Sequence, residues 1–213
     1  PTMLPKWAFG YQLSRYSYWS QDWVNYLANQ ATASDIPLDA VYLDIDYMDT
    51  DNNHQAIGPL HQLSLNPTDF PNPYSMATNC AAKGVKLVPL IEPWLEPGDT
   101  TLYNDANGNN HFIKDNSSTT VTRSIYVGPV SWFDFSSSAM RSWWGGKIGN
   151  WLNAFPFAGI WNDLTEPEGG DQIPSNALLW CDGRYGTSNT DSSRQWSNEH
   201  NYFALRCAQA ISK

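Results

Sequence analysis

Three acidic side chains stand directly after apolar, strand-like runs. The runs end Leu43-Asp44-Ile45-Asp46-Tyr47-Met48-Asp49, Pro89-Leu90-Ile91-Glu92-Pro93 and Gly159-Ile160-Trp161-Asn162-Asp163-Leu164-Thr165-Glu166-Pro167. Carboxylates with no Lys or Arg nearby in sequence are costly to bury. A chain that places Asp44, Glu92 and Asp163 at equivalent strand ends is therefore expected to use them. The bland alternative for any one of them is a side chain that caps the following turn, and three equivalent positions weaken it. Asp46 alternates with Asp44 and is expected on the other face of its strand.

Two chemistries suit such a set. Divalent cations take oxygen ligands, but they want a clustered ligand loop, and none of His54, His61, His111 and His200 follows a strand end. No metal or other cofactor is expected. Glycoside hydrolysis fits better. One carboxylate attacks the anomeric carbon and a second carboxyl group protonates the leaving oxygen, the two lying about 5–5.5 Å apart in retaining enzymes.

Rigid mounts for these groups are legible in the hydrophobic pattern. Strands are predicted at Trp7–Leu13, Ala40–Ile45, Lys86–Ile91 and Ala158–Trp161 from their β-branched and aromatic content. Between them, Ser20 can cap a helix carrying Trp23, Val24, Leu27 and Ala31, which closes near Ser34 and Pro37. A second helix is predicted over Pro73–Lys83 with Gly84 as its left-handed stop. A third opens at Ser136 to Ser138 and carries Met140, Trp143, Trp144, Ile148, Trp151 and Leu152, with Gly145-Gly146 as a local weakness. A fourth fits Asn198 to Ile211. The order β-α-β-α-β-α-β-α makes a parallel sheet. Gln12-Leu13-Ser14-Arg15-Tyr16 after the first strand cannot cradle a pyrophosphate, so a dinucleotide-binding open sheet is excluded. A (β/α)8 TIM barrel remains, of which residues 1–213 supply about the first four βα units, the N-terminal half. Two long loops, Glu92–Pro129 and Glu166–Trp196, follow strands on the side where barrel enzymes build their sites.

Composition narrows the partner. A net charge of −9 and no basic cluster exclude nucleic acid, and no apolar run is long enough to span a membrane. The chain has 11 Trp, 11 Tyr and 8 Phe. About two thirds of these rings are expected to pack the core; the remainder suit sugar faces. Cys80 and Cys207 fall on predicted helices as small buried hydrophobes, while Cys181 could form a bridge. The opening PTMLPKWAFG shows neither an initial Met nor a leader pattern and reads as part of something longer. Low Lys, abundant Asn, Ser, Thr and Trp, and the acceptor pattern Asn116-Ser117-Ser118 lean toward a secreted or extracellular protein.

Taken in order, these motifs resemble glycoside hydrolase family 31, the α-glucosidase family. The resemblance is carried by Gly10 to Tyr16, Leu43 to Asp49, Lys86 to Pro93, Trp132 to Phe135 with Trp143-Trp144, and Trp161 to Pro167, the last similar to Trp-x-Asp-Met-Asn-Glu-Pro. It implies Asp163 as the nucleophile of a retaining mechanism on α-glucosidic bonds. It also implies Asp44 on sugar hydroxyls, Ile45 against the ring, Trp161 and Glu92 lining the same subsite, Tyr126 where many members carry Trp, and Glu166 bracing the nucleophile loop. Glu92 stands where the family usually has Asp, and Leu164-Thr165 where it has Met-Asn. The acid/base carboxyl would follow Lys213, so residues 1–213 by themselves are expected to be inactive and to need the remainder of the enzyme. The partner implied is an α-glucoside oligosaccharide or polysaccharide. The alternatives are an α-glucosyl- or isomaltosyl-transferase with the same nucleophile, an α-glucan lyase, a non-catalytic carbohydrate-binding barrel, or a metal-dependent lectin.

Overall fold

A computed structural model describes residues 3–50, 59–98, 100–179 and 195–212. His54 and Cys181 lie outside the described residues, as does much of the second long loop. The chain divides into two compact units.

The first unit comprises Pro1–Thr50, Leu63–Ile91 and Asn150–Trp161. Its strands β1 (Gln12–Leu13), β2 (Ala40–Leu43) and β3 (Lys86–Ile91) are parallel, with Gln12 opposite Ala40 and Leu43 opposite Pro89. All but the first residue of β3 is buried, the mark of a strand covered on both faces. Helix α1 (Gln21–Ala33) starts where predicted: the Ser20 hydroxyl accepts the Trp23 N–H, and Val24, Ala28 and Ala31 face inward. Helix α2 (Pro73–Ala82) buries Met76, Ala77 and Cys80. Gly84, at φ +82°, ends it, and the next residue, Val85, donates its N–H back to the Cys80 carbonyl.

The second unit comprises Asp51–Gln62, Glu92–Gly149 and Asn162–Lys213. Here the predicted long loop after Glu92 is in fact ordered structure. Strands β4 (Trp94–Leu95), β5 (Arg123–Ile125) and β6 (Gly128–Trp132) build a three-stranded antiparallel sheet in the order β4-β6-β5, and helix α3 (Thr100–Gly108) lies between β4 and β5 in sequence. Helix α4 (Ser138–Ala154) begins in this unit, and α5 (Trp196–Glu199) and α6 (Phe203–Ile211) close it. An aromatic core holds it together. Phe112 stacks on Phe133, Phe133 meets Trp144 at 4.7 Å, and Phe135 meets Phe203 edge-on at 5.2 Å.

Strand β7 (Trp161–Asn162) completes the four-stranded sheet order β1-β2-β3-β7. Several expected bounds are corrected. The stretch Trp7–Leu13 is strand only at its end, because Lys6–Phe9 closes as a 3-10 turn and β2 offers partners no earlier than Ala40. The last strand is shifted from Ala158–Trp161 to Trp161–Asn162. The last helix is split by a 3-10 turn at His200–Tyr202. Cys80 and Cys207 are buried free thiols, as expected. Among the described residues no helix is long and apolar enough to cross a membrane.

Candidate active site

In the first unit, β2 stops at Leu43 and Asp44 caps the turn that follows. Its Oδ1 accepts the Ile45 N–H at 2.8 Å, and Ile45–Tyr47 is a 3-10 turn. The strand has therefore ended before Asp46, and the alternation expected of Asp44 and Asp46 does not hold. The charges of Asp46 and Asp44 both reach the Tyr16 phenol, whose pKa is raised by partial burial first and by these two carboxylates next. Ile45 is buried, whereas Asp44 is half-buried. Trp161 packs edge-on against Tyr42 at 6.0 Å, and the Tyr42 hydroxyl donates to Gln12 Oε1 at 2.7 Å. This chain through Gln12, Tyr42 and Trp161 fixes the Trp161 ring. The sequence pattern marked only its last member.

In the second unit, Glu92 follows β3 directly and is 1% exposed. Its Oε1 accepts the Tyr126 hydroxyl at 2.6 Å. Its Oε2 accepts the Gln62 amide at 3.3 Å, and the Gln62 carbonyl oxygen takes the Glu92 backbone N–H at 3.0 Å. The antiparallel sheet explains how Tyr126 arrives there. Trp94, two residues after Glu92, pairs with Trp132 of β6, and the tight β5–β6 turn carries Tyr126.

Burial pushes the Glu92 carboxyl up to about 8. The Tyr126 hydrogen bond resists this, the charges of Asp163 and Glu168 add to it, and the Gln62 bond resists it. Glu168 is itself raised, by burial and then by Glu166 and Asp163. Glu92, Asp163, Glu166 and Glu168 thus form one acidic neighbourhood, in which Glu92 and Glu168 bind their protons more tightly than usual. Asp163 is half-buried. It sits between two anchors. Asn162 donates its amide to Cys207 Sγ at 3.2 Å, and Leu164 adopts a left-handed φ of 52°, a conformation that costs a non-glycine residue on the order of 1–3 kcal/mol. Glu166, which is exposed, helps line a cavity of about 400 Å³ with Pro167, Asp171, Ile173, Trp196 and His200.

The structure therefore joins Glu92 to Tyr126 and sets Glu92, Asp163 and Glu166 within one unit, while Asp44, Ile45 and Trp161 belong to the other. Sequence reasoning missed Gln62, which carries no local signal. It also missed Glu168, although that is a third carboxyl within a few residues of Asp163. Among the described residues no group of three or more His, Cys, Asp or Glu side chains is arranged to hold a metal ion.

The model of the glycosyl hydrolases family 31 TIM-barrel domain matches residues 1–213, the whole chain. The chain belongs to glycoside hydrolase family 31. Its four parallel strands are thus strands of a (β/α)8 barrel. This family 31 chain is 32% identical to alpha-glucosidase 2 of Bacillus thermoamyloliquefaciens over 164 residues, covering 76% of the chain and 20% of the relative. It is 30% identical to an alpha-glucosidase of Saccharolobus solfataricus over 167 residues, covering 78% of the chain and 22% of the relative. It spans about a fifth of the length of these relatives. A solved dextranase of Flavobacterium johnsoniae, complexed with glucose, superposes with a TM-score of 0.83 at 20% identity over 100% of this chain and 24% of that one, which establishes the fold.

Proposed function

We propose that residues 1–213 supply the nucleophile-bearing part of a retaining glycoside hydrolase that cleaves α-glucosidic bonds. The observation that carries this reading is the acidic neighbourhood around Asp163, in which Glu92 and Glu168 have raised proton affinity. A nucleophile must be charged at working pH, and Asp163 stands in the strand-end motif that resembles the family's nucleophile segment. Asp163 attacks the anomeric carbon, the bond from that carbon to the leaving oxygen breaks, and a carboxyl group outside residues 1–213 protonates that oxygen. Water then attacks the glycosyl-aspartate, giving up a proton to the same group. Glu92 is 1% exposed and both its carboxyl oxygens are engaged, by Tyr126 and Gln62, so it does not reach a leaving group. Asp44 and Trp161, in the first unit, are assigned to sugar binding by the motifs in which they stand, and Glu166, in the second, to the wall of the cavity it lines.

The choice of an α-glucoside is supported by the relatives: two are named alpha-glucosidases, and a related dextranase structure holds isomaltotriose. The test is trapping. The complete enzyme is treated with 5-fluoro-α-glucosyl fluoride, digested, and mapped by mass spectrometry. A glycosyl adduct on Asp163 is expected, and in the Asp163→Ala variant both the adduct and turnover are lost. Labelling elsewhere, or turnover that survives Asp163→Ala, sinks the assignment.

A further inference from the structure

Asn162 is the last residue of β7 and stands directly before Asp163. Strand residues that meet a helix are ordinarily apolar, yet here an amide meets a thiol. The Asn162 amide donates to Cys207 Sγ at 3.2 Å, and that thiol lies 3.4 Å from Asn162 Oδ1. Cys207 is fully buried on α6, and α6 is itself held firmly. Arg206 pairs with Glu199 at 2.8 Å and donates to the Ser136 carbonyl at 3.3 Å. Phe203 packs edge-on against Phe135 and Trp196. Helix α4 comes so close at Gly145 that a Cβ there would strike the Ala210 carbonyl oxygen. Two residues on from Asn162, Leu164 turns the chain through a left-handed φ of 52°. Asp163 thus stands between a side chain bonded to a fixed helix and a backbone turn that few non-glycine residues adopt.

We infer that Asn162 and Cys207 are positioning residues for the nucleophile: their bond ties the end of β7 to α6 and so sets where the Asp163 carboxylate stands. This rests on the retaining-glycosidase reading above and deepens it. An apolar pair would fill the same space, but its contacts have no direction, whereas a hydrogen bond restricts angle as well as distance. Attack on an anomeric carbon demands that restriction. Reacting atoms must meet at about 3–3.5 Å with their orbitals aligned, and a displacement of about 1 Å can cost on the order of a hundredfold in rate. The pair touches no sugar in this role, so its loss falls on the attack by Asp163 and leaves substrate binding alone.

The test reads that attack directly in the complete enzyme. Three quantities are measured: the labelling rate constant at saturating 5-fluoro-α-glucosyl fluoride, the half-saturating concentration, and the melting temperature. Asn162→Leu and Cys207→Val keep most of the volume and remove the bond. Each is expected to slow labelling about tenfold, with the half-saturating concentration within about twofold of wild type. Cys207→Ser keeps a hydroxyl for the amide and is expected to hold the rate within about threefold of wild type. The double variant Asn162→Leu/Cys207→Val separates positioning from packing. Its melting temperature is expected to recover toward wild type, because no polar group is left unpaired, while labelling stays about tenfold slow. A double variant that regains the wild-type rate, single effects that multiply in the double, or folded single variants that label as fast as wild type all overturn the inference and leave the glycosidase reading standing. Should a single variant not accumulate as folded protein, the double variant and Cys207→Ser decide. A wild-type enzyme that forms no adduct on Asp163 overturns the glycosidase reading itself, and the inference with it.

Discussion

Asn162 and Cys207 hold each other across 45 positions of sequence: the Asn162 amide donates to Cys207 Sγ at 3.2 Å, and the thiol lies 3.4 Å from Asn162 Oδ1. Asn162 is the residue before Asp163, so helix α6 has a direct grip on the end of β7. Cys207 is fully buried, and burial pushes its thiol up to about 12.

That pairing makes Cys207 structural and chemically inert. The thiolate is the reactive form of cysteine, and almost none exists at pH 8 in a group shifted so far. Iodoacetamide at about pH 8 is expected to leave Cys207 and Cys80 unlabelled in the folded enzyme and to label both in urea. Peptide mass spectrometry reads the result. Cys207→Val should also destabilise the protein by about 1–2 kcal/mol in urea melts, since the Asn162 amide loses its partner. Rapid native alkylation of Cys207, or a Cys207→Val variant as stable as wild type, contradicts this role.

Glu92 sets a pH dependence of stability with a definite sign. Its folded pKa of about 8 lies above its ordinary 4.5. The native state therefore binds the proton more tightly than the unfolded chain. The stability this contributes is fully present below pH 4.5 and is lost as pH rises toward 8, an effect on the order of a few kcal/mol. Melting temperatures measured across that interval should fall more steeply for wild type than for Glu92→Gln, which cannot ionise. Parallel curves for the two proteins count against the raised pKa.

Two adjacent glycines in α4 should respond oppositely to alanine. A Cβ on Gly145 would collide with the backbone carbonyl oxygen of Ala210, whereas one on Gly146 meets open space. Gly145→Ala is expected to cost about 1–3 kcal/mol by overpacking α4 on α6. Gly146→Ala should stabilise by up to about 1 kcal/mol through helix propensity. Thermal melts of the two variants separate them, and equal shifts would show that the close approach of the helices is not what selects Gly145.

Local patterns carried a large share of the architecture. The Ser20 cap with Val24 and Ala31 on its helix, the Gly84 stop and the unbroken apolar run of β3 are short-range features, so their residues announce them, whereas Trp23, expected on the same helix face, is exposed. The placement of Asp44, Glu92 and Asp163 at strand ends was legible for the same reason, because each stands beside the run that positions it. Trp7–Phe9 misled because aromatic content marks a buried strand only where a neighbouring strand supplies partners.

By itself the sequence determined the βα order, the family and which carboxyl groups stand at the strand ends, since all of these depend on residue type and near neighbours. Tertiary structure decided how the groups work. Tyr126 meets Glu92 from 34 residues away and Gln62 from 30. The sheet that brings Tyr126 back, β4-β6-β5, exists only because Trp94 and Arg123 find β6. A proton affinity of about 8 at Glu92 likewise arises first from burial, and burial is a property of the packed molecule that no local pattern encodes.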